Sequence, residues 1–126
     1  MKRPVSLVVA AVVVALEGLV ALALGGVLAV RTMLGEAEAV TTALAEAVFG
    51  LGIGAGLIWV AWGGLLRAER WGRAPGVLTQ IFLIPVGITV WTEQPTIGAP
   101  IVALAVAGLV ALLAPPTTQA LYGEAD

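Results

Sequence analysis

No cysteine, histidine or asparagine occurs in the chain, and serine, lysine and aspartate occur once each, as Ser6, Lys2 and Asp126. Without cysteine there is neither a disulfide framework nor a thiolate, and cysteine usage says nothing of the redox compartment. Without histidine there is no Ser–His nucleophile and no H-E-x-x-H zinc motif, and a single aspartate cannot supply a membrane aspartyl pair. The glycines from Gly50 to Gly56 lack the Lys and Ser/Thr that complete a phosphate-binding loop. These absences predict a protein that is not an enzyme, with no cofactor and no metal. Charge is scarce as well. Six basic and eight acidic residues give a net charge of -2, which excludes the clustered basic surface that nucleic acid requires.

What fills the chain is apolar. Of its 126 residues, 60% are hydrophobic and 11% charged, with a mean hydropathy of +1.08. A soluble domain has about 45–50% apolar and about 25% charged residues, so this chain cannot coat a water-exposed globule. The expected partner is a lipid bilayer. A bilayer core about 30 Å thick needs about 20 apolar residues in a helix. Four stretches meet or approach that length: residues 4–30, 40–66, 74–91 and 96–114, the last stopped by Pro115 and Pro116. The expected fold is all-α, a single transmembrane domain over residues 1–126 built as a four-transmembrane-helix bundle. Lys2 and Arg3 ahead of an apolar run also suit a secretory signal. Signal cores, however, run about 7–15 residues, and this run is far longer with a carboxylate midway, which predicts an uncleaved span.

Orientation follows from the basic residues. With four spans, Lys2, Arg3, Arg67, Arg70 and Arg73 fall on one side and Arg31 alone on the other. Basic loops stay in the cytoplasm, so both termini are expected there, in a multi-pass protein of the inner (plasma) membrane. Trp62, Trp71 and Trp91 fall near span ends, where an indole buries its ring and keeps its N–H wet. Trp59 lies one turn deeper and has no such reason. The loop Arg67-Ala-Glu-Arg-Trp-Gly-Arg73 holds three arginines, fewer than the four to eight of a lipid-recognition cluster, and reads first as a positive-inside anchor.

Glu17 is the most informative position. It stands 14 residues from both Arg3 and Arg31, about 21 Å from either flanking charge, which is the middle of the bilayer. A charged carboxylate there costs at least about 2.5–3.5 kcal/mol, so it should face the bundle interior or water. Ala10, Ala21 and Gly25 share its helix face and would admit a neighbouring helix. Two readings stand: a protonated carboxyl that donates one interhelical hydrogen bond as packing glue, or a site of ion or proton coupling or ligand contact. Gln80, in the third span, must also find a partner. Counting from Arg3 and Arg73, it lies about 10 Å nearer the cytoplasm than Glu17, so a direct bond needs helix offset or a bridging water. Pro85, one turn on, frees the carbonyl of Ile81. Glu46 reaches the outer interface, where a carboxylate near a helix N-terminus is favoured by the dipole; its other reading is the mouth of a path toward Glu17.

Gly50, Gly52, Gly54 and Gly56 form two overlapping G-x-x-x-G pairs, and Ala99, Ala103, Ala107 and Ala111 a small-residue stripe on the fourth span. Both are expected packing faces, for this chain's own helices, a second copy of it, or another membrane protein. No repeat relates the two halves.

In size, span number and a carboxylate midway along the first helix, the chain resembles the small multidrug resistance transporters, in which such a carboxylate couples protons to a cationic substrate. Only Glu17 carries over; its surroundings here are Val, Ala, Leu and Gly rather than aromatic. The whole chain more closely resembles small four-span actinobacterial integral membrane proteins of unknown function. The segment Arg70-Trp-Gly-Arg-Ala-Pro-Gly-Val-Leu-Thr-Gln-Ile-Phe-Leu-Ile-Pro-Val-Gly87 bears that resemblance, together with the glutamate in the first span and the Ala, Val and Gly bias. It implies the four-span architecture and no activity. The functional expectation is a non-catalytic accessory or scaffold module of a membrane complex, with a small oligomeric transporter or channel using Glu17 as the alternative.

Overall fold

The computed structural model describes residues 3–36 and 38–123. Lys2 and Asp126, used above for charge and topology, lie outside the described residues. The described chain is helical without strands: α1 (Val5–Met33), α2 (Val40–Trp59), α3 (Arg73–Glu93), α4 (Pro95–Leu113) and α5 (Pro115–Tyr122). A π-helical segment, Val60–Leu65, extends α2, and a 3-10 turn, Arg70–Gly72, leads into α3. With those extensions, four helices are long and apolar enough to cross a membrane: Val5–Met33, Val40–Leu65, Arg70–Glu93 and Pro95–Leu113. The four-helix expectation holds.

Two hairpins build the bundle. In the first, α1 meets α2 through glycines, because apolar lipid gives helices no hydrophobic reason to associate and close van der Waals contact must supply one. A Cβ on Gly54 would stand 2.7 Å from the carbonyl oxygen of Gly18, and one on Gly18 would stand 2.8 Å from that of Gly54. Gly25 and Gly50 repeat the arrangement nearer the α1–α2 loop. In the second hairpin Pro95 occupies the first turn of α4, where its missing N–H costs nothing. Gly98 there abuts the Trp91 backbone so closely that a Cβ could not be placed. Helix α3 runs unbroken through Pro85.

The helices enclose a narrow core of Leu7, Val14, Leu57, Leu65 and Leu112, with small residues between them. The outside is as apolar as the inside. Phe49, Phe82, Leu24 and Val110 are more than half exposed, an arrangement suited to acyl chains rather than water. Trp62 is 71% exposed and Trp71 and Trp91 are partly so, as expected of indoles at span ends. Trp59 gains its explanation from tertiary structure. Its ring lies 5.1 Å from that of Trp71 and covers Gly63, so the two tryptophans bracket the turn between the π-helical segment and α3.

The fifth helix is an addition to the expected four. Pro115 and Pro116 do stop α4, but they also start α5, again from first-turn positions. The chain's one serine holds α5 against α1: Ser6 Oγ lies 2.6 Å from Thr117 Oγ1, which also donates to the carbonyl of Ala111 at 2.7 Å. That second bond satisfies one of the carbonyls left open at the end of α4.

Candidate functional site

Glu17 and Gln80 meet. Gln80 Nε2 donates to Glu17 Oε1 at 2.7 Å and to the carbonyl of Gly76 at 3.2 Å. The amide is fully buried and Glu17 is 7% exposed, so the pair is an interior feature. The bond is direct, without the bridging water that axial counting suggests. Part of the reason is the α2–α3 loop, which folds inward. Gly72 packs on Gly64, with a Cβ on either 3.0–3.1 Å from the other's Cα. A Cβ on Gly76, one turn before Gln80, would lie 3.8 Å from Val14, which is about one turn before Glu17, so the two long side chains start from similar depths.

Glycine makes room for the pair. A Cβ on Gly108 of α4 would stand 3.0 Å from the Gln80 amide and 2.9 Å from Val13, and one on Gly76 would touch Leu112. The amide is thus wedged among α1, α3 and α4, and nothing in the sequence pattern marks Gly108 as its floor. Two oxygens in this enclosure have no hydrogen-bond partner among the described residues, Glu17 Oε2 and Gln80 Oε1. Neither the cavity of about 1020 Å³ at the α2–α3 loop end nor a cleft of about 130 Å³ between α1 and α2 is lined by Glu17 or Gln80.

The other sequence candidates separate. Glu46 is exposed on α2. Its neighbour Ala47 packs on Gly25, two turns along α1 from Glu17, so the structure does not join the two carboxylates. The four glycines of α2 divide by side. Gly50 and Gly54 are consumed by α1, whereas a Cβ on Gly52 or Gly56 would have nothing within 4 Å of it, so these two face outward. The alanine stripe of α4 is not the face that packs inside the bundle. Ala103 and Ala107 are exposed, and Gly98, Ala105, Gly108 and Leu112 are buried beside Ala111. At about 3.6 residues per turn an i, i+4 stripe drifts by about 40° per step, so it starts off the buried face at Ala99 and reaches it only at Ala111. Of the loop arginines, Arg67 lines the large cavity, and Arg70 and Arg73 lie 5.5 and 5.3 Å from the Tyr122 ring centre. Among the described residues no cluster of His, Cys, Asp and Glu could hold a metal ion.

No family model, curated protein or solved structure matches the chain, so its site is read from geometry.

Proposed function

We propose that the protein is a non-catalytic module of the cell membrane that docks other transmembrane helices, as an accessory subunit or scaffold. The observation that carries this reading is the outward face of α2, where Gly52 and Gly56 stand one turn apart with open space before them. Their spacing repeats that of Gly50 and Gly54, which do dock a helix. Thr41 and Ala45 continue the face toward one end, and Trp59 bounds it at the other. A helix laid along it could approach as closely as α1 does on the opposite side. The test exploits the absence of cysteine. Ala45→Cys carrying a thiol-linked photocrosslinker, irradiated in native membranes, is expected to yield a stoichiometric crosslinked species, and Leu24→Cys treated alike, at a lipid-facing position, only monomer. Gly56→Val should abolish the Ala45 product without lowering thermal stability. Monomer from every position overturns the reading.

In this reading both termini are cytoplasmic. Reporters fused after Glu36, Glu69 and Gln94 are expected to read outside, inside and outside, and a cytoplasmic signal at Glu36 would reverse the assignment.

A second reading, a small oligomeric transporter that uses Glu17, is favoured by the two unpartnered oxygens, since a buried acceptor without a donor is the kind of atom a proton or cation would satisfy. Liposomes loaded with a pH dye test it: equal flux from wild type and Glu17→Gln across a series of ion gradients would remove it.

A further inference from the structure

We propose that the α2–α3 loop end of the bundle is a binding site for an anionic phospholipid, with the headgroup phosphate between Arg3 and Arg67 and an acyl chain on the apolar floor beneath them. The cavity there holds about 1020 Å³, at the top of the range of about 300–1,000 Å³ for small-ligand clefts. Its walls come from three separate parts of the chain: the start of α1, the turn after the π-helical segment, and α5. Three elements that are distant in sequence are held there by specific bonds. Arg3 Nε donates to the carbonyl of Leu66, fixing the α1 entry to the end of α2. The Ser6–Thr117 contact and the stacking of Arg70 and Arg73 on Tyr122 hold α5 in place as the third wall.

The lining has two chemistries. Arg3, Arg67 and Gln119 are polar; Leu7, Leu66, Pro116 and Ala120 are among the apolar residues, and no carboxylate lines the cavity among the described residues. A guanidinium carries five N–H donors, so Arg3 retains its terminal nitrogens for a ligand after binding Leu66. Two guanidiniums at the rim of an apolar hollow match a ligand that is anionic at one end and hydrocarbon at the other. A free phosphate would leave the apolar floor unused. Folding brings Arg3 beside Arg67 in one lining, although 64 positions separate them in sequence, while Arg70 and Arg73 of the same loop lie against Tyr122. This site is independent of the outward glycine face and survives if that reading fails.

The experiment is native mass spectrometry of the full chain in mild detergent, titrated with dioctanoyl phosphatidylglycerol, dioctanoyl phosphatidylcholine or inorganic phosphate. Two arginines near a headgroup predict that the anionic lipid binds about 30-fold more tightly than the zwitterionic one. Arg3→Gln with Arg67→Gln should erase that preference, and Arg31→Gln, at the opposite end, should leave it intact. Because Arg3 also ties α1 to Leu66, Gln119→Glu provides a second variant. It places a carboxylate in the lining at an exposed position that makes no side-chain hydrogen bond within the described residues, and should lower the preference with helicity unchanged. Equal binding of the two lipids, an Arg31→Gln effect as large as that of the cavity variants, or displacement of the lipid by equimolar inorganic phosphate would each overturn the proposal.

Discussion

Gly54→Ala is expected to destabilise the folded protein by about 1–3 kcal/mol, and Gly54→Val by more, because the added carbon meets backbone as well as the Leu22 side chain. The obstacles are the carbonyl oxygen of Gly18 and the amide nitrogen of Leu22, both 2.7 Å from the Cβ position. Neither can retreat without separating α1 from α2 along their whole contact. Gly18→Ala should behave alike, since its Cβ would strike the carbonyl oxygen of Gly54 at 2.8 Å. Gly52→Ala and Gly56→Ala are the internal controls: the same substitution on the same helix, with nothing to collide with. Reversible denaturation in mixed micelles, followed by helical circular dichroism, would measure all four. Equal losses at Gly52 and Gly54 would refute the division of the four glycines into an inner and an outer face.

Gln80→Met is expected to cost about 1–3 kcal/mol, the penalty of leaving a buried polar group without its donor. The substitution keeps the length of the side chain that occupies the space beside Gly108, so the loss is of hydrogen bonding rather than of volume. Glu17→Gln should be nearly silent, because an amide still accepts from Gln80 Nε2 and also brings a donor to an enclosure that contains the unpartnered Gln80 Oε1. Glu17→Ala should cost about 0.6 kcal/mol, the typical value of an interhelical hydrogen bond in a membrane. The decisive variant combines Glu17→Met with Gln80→Met. Replacing both partners by apolar groups of similar shape removes the orphaned atoms together, so its stability should return close to wild type. If the two losses simply add, the pair does not act as a unit and its packing role is refuted.

Much of this architecture is legible in one dimension. Apolar runs, proline stops and arginine flanks place four long apolar helices within a few residues of their observed ends, since a helix that must satisfy its backbone bonds internally leaves a long uniform signature. Glu17 and Gln80 stand out because a polar side chain in such a run has few alternatives to an interior position. Helix α5 has a signal too, in the Pro115-Pro116 pair ahead of Thr117 and Leu121, but the same pair reads first as the end of α4. Proline both terminates one helix and opens the next, and the second meaning needs the short amphipathic stretch behind it to be weighed.

The sequence by itself determined that this protein is a helical bundle with an apolar exterior, and which two polar residues had to be reconciled inside it, because both follow from composition and distance along a helix. Only the tertiary structure decided which residues meet. The glycines of α2 are alike in sequence context yet divide into a used and an unused face, because rotation of α2 relative to α1 is set by close packing at Gly18 and Gly25. Arg3 and Arg67 line one cavity because Ser6, Thr117 and Tyr122 fold α5 back over the loop end, and no spacing in the chain encodes that return. Distance along a helix is fixed by its rise per residue, whereas contact between helices depends on azimuth and offset, which small side chains set collectively.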